Sequence, residues 1–198
     1  MIFVKEYYNS VLSSITYLLS VLDSRYVWMV DCGDIIDILQ WLRQEDKDIQ
    51  GILLTHTHFD HIYGLNELKK VYPACKVYTS SDGTKGLYDP KLNMSFYYDE
   101  IDNYVFQFDD VTELKEADKM ELWLGVTMEV IESSGHDTSC LTYKIGRYLF
   151  TGDSYIPGIK VVTNFPKSNK KDADVSLKKI LMLKERDNLV VCPGHVLR

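Results

Sequence analysis

Apolar and polar positions along the chain fall into blocks that predict short strands alternating with helices. Ile2 to Tyr7, Ser14 to Leu19 and Tyr26 to Val30 are rich in β-branched and aromatic residues and predict three strands, with a turn at Asp23-Ser24. Asp31-Cys32-Gly33-Asp34 breaks the pattern. Ile35, Ile36, Ile38, Leu39 and Leu42 then recur at helical spacing, with Asp34 as the expected N-cap and Trp41 beside the buried stripe. Gly51 to Leu54 reads as a buried strand. A helix is expected from about Tyr63 to Val71, with Leu65, Leu68 and Val71 inward and Pro73 as its stop. Val77 and Tyr78 begin another strand, and this alternation predicts α/β layering.

From Ser80 to Asp102 the pattern lapses. Turn signals at Ser81-Asp82-Gly83 and Asp89-Pro90, and the run Asn93 to Tyr98, leave two readings open: a loop over a functional site, or a packed surface excursion. Alternation returns at Tyr104 to Phe108 and, around Gly125, from Lys119 to Ile131. Leu141 to Ile145 and Tyr148 to Thr151 predict a hairpin turning at Gly146-Arg147. Ser176 to Lys184 predicts an amphipathic helix, and Asn188 to Cys192 a last strand. No linker interrupts the chain, so residues 1–198 are expected to form one domain.

Composition narrows the function classes. Hydrophobic content of 45% and charged content of 26% are ordinary for a soluble globular protein. A net charge of −7 argues against broad nucleic-acid binding. Val11 to Leu22 is moderately apolar, but Ser13, Ser14, Thr16 and Ser20, the preceding Glu6 and the lack of a small-residue cleavage site argue against a signal peptide, and it is too short and polar for a membrane span. A cytoplasmic location and no membrane partner are therefore expected. The four cysteines, Cys32, Cys75, Cys140 and Cys192, form no C-x-x-C pair and are expected to be reduced and partly buried. Acidic residues from Asp99 to Glu116 read as a solvated face.

The chemistry concentrates in Thr55-His56-Thr57-His58-Phe59-Asp60-His61. Three of the five histidines of the chain lie here, with a carboxylate between them. Imidazole and carboxylate are the ligands that zinc and similar ions prefer. Alternate side chains of an extended loop face one way, so His56 and His58 can share an ion while Asp60 and His61 aim at a neighbouring point. The other two histidines, His136 and His195, each follow a glycine and a predicted strand, as does Asp153. A workable division gives one ion His56, His58 and His136, and the other Asp60, His61 and His195, with Asp153 as the bridge.

The ordered motifs THTHFDH, SSGHDTS, FTGDS and CPGH, preceded by a strand and a D-x-G-D turn at Tyr26 to Asp34, resemble the metallo-β-lactamase-fold hydrolase superfamily, and within it the glyoxalase II-like proteins. The resemblance implies a four-layer αββα sandwich, two mixed β-sheets flanked by helices, with a dinuclear metal site at one edge and the ligand division above. It implies two divalent ions, zinc first and iron or manganese as alternatives, that lower the pKa of a shared solvent molecule for attack on a small thioester or ester. Asp60 is then both a ligand and the residue that orients the nucleophile or takes its proton. A lactonase, a phosphodiesterase or a mononuclear iron sulfur dioxygenase are the alternatives. His58 stands where flavin-coupled di-iron members place a glutamate, which favours hydrolysis.

Two departures bear on substrate. The usual G-H-T-x-G is Gly135-His136-Asp137-Thr138-Ser139 here. Glyoxalase II also has a helical domain after the last histidine that helps bind glutathione. This chain runs three residues past His195, so much of that surface is expected to be missing. Tyr155 and Lys160 are expected to contact a small-molecule substrate. Lys160, Lys167, Lys170 and Lys171 read first as solvated lysines and second as an anion-attracting run. Ser154 has no free histidine to activate it and is expected to be structural.

Overall fold

A computed structural model describes residues 1–196. Strands β1 (Ile2–Tyr8), β2 (Ile15–Val21), β3 (Tyr26–Val30), β4 (Asp48–Leu53), β5 (Lys76–Thr79) and β6 (Val111–Glu113) form one mixed sheet in that order. Its first three strands are antiparallel and β3 to β6 run parallel. Strands β7 (Lys119–Trp123), β8 (Val126–Glu132), β9 (Leu141–Ile145), β10 (Tyr148–Gly152) and β11 (Val190–Pro193) form a second, ordered β11-β10-β9-β8-β7. Only β10 and β11 are parallel in it.

Period-two alternation sorts the side chains into layers. On β3, Val27 and Met29 enter the core beneath α1 (Ile36–Gln44) and α2 (Leu65–Val71), with Ile38, Leu42, Leu65 and Leu68. Trp28 and Val30 face the other way, into a core between the sheets with Tyr17, Met128, Tyr143 and Phe150. Leu149 and Ile131 meet Ile180 of α4 (Lys170–Asp187) on the far side of the second sheet. The result is the four-layer αββα sandwich with two mixed sheets.

The sheets are pinned together at the edge where β4 and β11 end. Ile15 N–H donates to Gly194 O at 2.8 Å and Leu141 N–H to Thr55 O at 2.6 Å. The Tyr17 and Tyr143 hydroxyls donate to Pro193 O and Leu54 O, each at 2.7 Å. Buried hydroxyls thus satisfy strand-end carbonyls that would otherwise lack partners.

Several expectations are corrected. The irregular segment contains α3 (Ser81–Tyr88), capped by Ser80 Oγ accepting from Gly83 N–H. Gly83 and Gly86 lower its helix propensity, but both are needed for close packing. A Cβ would come within 2.1 Å of Thr79 Oγ1 at Gly83 and within 2.3 Å of Thr57 Oγ1 at Gly86. Tyr104 to Phe108 is not a strand. Its backbone is satisfied by side chains instead: Asn93 Nδ2 donates to Tyr104 O, Ser95 Oγ accepts from Tyr104 N–H, and Asn66 bonds Val105 O and Gln107 N–H. Asp34 does not cap α1; its carboxylate accepts from the N–H and hydroxyl of Ser10. Val71 ends α2 facing solvent. Helix α4 begins well before Ser176 because Asn169 Oδ1 accepts from Lys171 and Asp172 N–H, a cap that polar composition concealed.

Candidate metal centre

All candidate ligands lie at carboxyl ends of strands. The loop after β4 carries His56, His58, Asp60 and His61; His136 follows β8, Asp153 follows β10 and His195 follows β11. Phe59–His61 forms a single 3-10 turn, which redirects Asp60 and His61 relative to His56 and His58. Three groups of potential ligand atoms converge: His56, His58 and His136; Asp60, His61 and His195; and His56, His61 and Asp153.

Separations among these atoms are close to what one ion would impose. His58 Nδ1 is 3.1 Å from His136 Nε2, and His61 Nε2 is 3.2 Å from His195 Nε2. Asp60 Oδ2 is 3.4 Å from His61 Nε2 and 3.3 Å from His195 Nε2. Asp153 reaches both groups: Oδ2 lies 3.5 Å from His136 and 3.4 Å from His195, and Oδ1 3.6 Å from His61. Tetrahedral ligands about 2.1 Å from zinc stand roughly 3.4 Å apart.

The outward ring nitrogens explain why the inner ones are available. His61 Nδ1 donates to Asp31 Oδ2 at 2.9 Å, His136 Nδ1 to Val162 O at 3.0 Å and His195 Nδ1 to Leu12 O at 3.1 Å. His56 Nδ1 meets Thr55 Oγ1 at 3.2 Å, and that hydroxyl donates to Asp31 Oδ2 at 2.8 Å. With Nδ1 hydrogen-bonded outward, each of these rings turns its Nε2 inward, where the neutral form carries a lone pair. Lone pairs about 3 Å apart repel unless a proton or a cation lies between them. His56 Nε2 and Asp153 Oδ1 are buried with no hydrogen-bond partner. Orphaned polar atoms are costly, and here they point at the same centre. The donor set therefore fits a divalent metal. Gly194 makes the close approach possible, since a Cβ there would fall 2.2 Å from Asp153 Oδ1.

Electrostatics divide the ligands. Burial, together with neighbouring imidazolium charge, holds His56 well below its ordinary value, and burial also lowers His136. Burial lowers His61 and His195 too, but carboxylates outweigh it. Asp60 and Asp31 push His61 up to about 9, and Asp153 and Asp60 push His195 up to about 10. Burial raises Asp60 and Asp153, yet the surrounding histidines more than offset it and keep both below the ordinary carboxylate range.

A family profile described as the metallo-beta-lactamase superfamily matches residues 16–195. The chain belongs to that superfamily. It is 28% identical over 176 residues to a hydroxyacylglutathione hydrolase of Hydrogenovibrio crunogenus, covering 87% of this chain and 54% of that one. It is 32% identical over 173 residues to the metallo-beta-lactamase fold-containing protein ST1585 of Sulfurisphaera tokodaii, covering 80% and 65%. The crystal structure of BLEG-1 B3 metallo-beta-lactamase superposes with a TM-score of 0.87 at 25% identity, over 98% of this chain and 92% of that one. The chain spans about half the length of the hydroxyacylglutathione hydrolases it matches.

Within this metallo-beta-lactamase scaffold the seven expected ligands come together, and two carboxylates join them that the sequence reading left out. Asp31, in a left-handed conformation (φ 59°) after β3, also accepts from Thr55 N–H at 2.8 Å. It thus supports His61 directly and His56 through Thr55. Asp137, the departure in the G-H-D-T-S loop, faces His58 Nε2 at 3.7 Å. Burial raises its carboxyl, but His58 and Ser139 outweigh that and hold it down at about 2. The D-x-G-D turn and the altered loop were visible signals for both.

Tyr155 and Lys160 line a cleft of about 100 Å³ against α4, which shares Ile159 with the cavity over the ligands. The cavity over the ligands, about 250 Å³, instead takes Met94 and Tyr98 from the irregular segment. That segment therefore both packs and borders the site. All four cysteines are free and buried, and none lines this cavity. Ser154 is structural: its hydroxyl donates to Ser133 O at 2.8 Å. Among the described residues, no helix is long and apolar enough to cross a membrane.

Proposed function

We propose that the chain is a dinuclear metal-dependent hydrolase acting on a small thioester or ester. The observation that carries this reading is Asp153, whose Oδ2 lies within 3.5 Å of a histidine from each triad while Oδ1 has no hydrogen-bond partner. One ion would be held by His56, His58 and His136, the other by Asp60, His61 and His195, with Asp153 between them. When bound, such ions supply Lewis acidity and lower the pKa of bound water, and zinc suits this nitrogen-rich set. Asp60 would orient the attacking water and take its proton, a role supported by its burial and by the histidines that hold its carboxyl below the ordinary range. Water oxygen bonds to the acyl carbon and the C–S or C–O bond breaks. The thiol or alcohol leaves with one proton, and the acid product releases the other.

The test is metal content and turnover together. Protein purified without added metal should carry about two ions per chain and hydrolyse members of a thioester and ester panel. Chelation should abolish turnover and zinc restore it. A single iron per chain with oxygen uptake would instead establish the dioxygenase alternative.

A further inference from the structure

The cavity over the ligands has polar groups on its floor and apolar ones on its walls. The floor is His58, Asp60, His136, Asp153 and His195. A single loop after β10 contributes Ile156, Ile159, Val162 and Phe165, and Leu12, Phe59, Met94 and Tyr98 complete the lining. The four loop residues recur at every third position, and the intervening Lys160 and Thr163 turn to the cleft against α4. The loop is held in place: Ile156 and Ile159 form a β-bridge and Val162 O accepts from His136. The Phe165 ring stands edge-on to His58 and His136, at 5.3 and 5.4 Å. Leu12 and Val162 remain 52% and 43% exposed at the mouth. Clustered apolar side chains left open beside convergent polar groups are the pattern of a ligand pocket.

We propose that this cavity selects esters or thioesters with an uncharged, apolar acyl group, which lies along the Ile156–Phe165 row with its carbonyl at the metal ligands. The proposal rests on the hydrolase reading above and names its substrate class. A charged acyl group would bring a carboxylate against isoleucine, valine and phenylalanine, losing hydration without compensation.

The experiment uses the zinc-loaded protein and N-acetylcysteamine thioesters from acetyl to octanoyl, with succinyl as the charged counterpart of butyryl. Each buried methylene should raise kcat/KM about fourfold until the cavity fills. Succinyl should fall at least about tenfold below butyryl. Val162→Asp should flatten the chain-length dependence. In parallel, calorimetry measures binding of methyl ketones of increasing length, which carry the carbonyl but cannot be hydrolysed. Affinity rising with length supports the proposal. Turnover that is flat in length, or highest for succinyl, with ketone affinity independent of length, overturns it and leaves the hydrolase standing. Length-dependent ketone binding with no thioester or ester turned over overturns the hydrolase reading and leaves the apolar selectivity.

Discussion

His56, His58 and His136 form an all-imidazole triad, whereas Asp60, His61 and His195 mix a carboxylate with imidazoles that hold protons. In the first, burial keeps His56 and His136 below the ordinary value of 6.5, so their lone pairs are free at neutral pH. In the second, carboxylates overcome burial and raise His61 to about 9 and His195 to about 10. The loop after β4 thus supplies candidate ligands to two groups whose imidazoles differ in how readily they give up a proton. His56 and His136 can accept an ion without losing a proton, while His61 and His195 must expel protons to do so.

The comparison can be broken or sharpened in order of effect. His58→Ala should cost most: the first triad loses a ligand, metal content falls by about one ion per chain, and turnover drops by more than the roughly 100-fold typical of losing a supporting group. An unchanged ion count, by elemental analysis, would mean that His58 is no ligand. Next comes pH. Protonated His61 and His195 compete with metal, so affinity at the second triad should rise with pH towards about 9 to 10. The rise should be about tenfold per unit for each proton expelled. Affinity at the first triad should depend less on pH, since burial holds His56 and His136 below their ordinary value. Calorimetric titrations at several pH values would show two diverging constants; parallel curves would erase the distinction.

Smaller effects separate the supporting carboxylates. Asp31 touches His61 directly and His56 through Thr55, so Asp31→Asn should weaken both ions, towards the 100-fold end of the roughly 10–100-fold range. Asp137 faces only His58, so Asp137→Asn should weaken one ion, by about tenfold. Chelator competition measures both. Smallest is Gly86→Ala, where the new methyl meets Thr57 Oγ1 at 2.3 Å, between His56 and His58. Overpacking of about 1–3 kcal/mol should lower Tm by roughly 2–10 °C and disturb only the first triad.

The candidate ligands were legible because strand ends announce themselves through hydrophobic pattern and glycine, and because three histidines crowd into one loop. What supports them was not. The D-x-G-D turn marks Asp31, but its contact with His61, 30 positions away, leaves no local trace. The strand pattern over Tyr104–Phe108 was misleading because alternation reports burial, and Asn93, Ser95 and Asn66 supply the hydrogen bonds that a neighbouring strand would. Helix α3 was hidden by glycines chosen for contact with Thr57 and Thr79 rather than for helix propensity. Tyr155 and Lys160 attracted notice as polar residues near Asp153. The cavity uses the apolar residues between and beyond them, at a three-residue spacing that matches neither helix nor strand.

The central claim is that Asp153 joins the two triads into one dinuclear centre. Elemental analysis of wild-type and Asp153→Ala protein, purified side by side, tests it most directly. The account predicts about two ions per wild-type chain and a loss of metal from both triads in the variant, with the fold retained by circular dichroism. Full metal content in Asp153→Ala, with turnover unchanged, would contradict it.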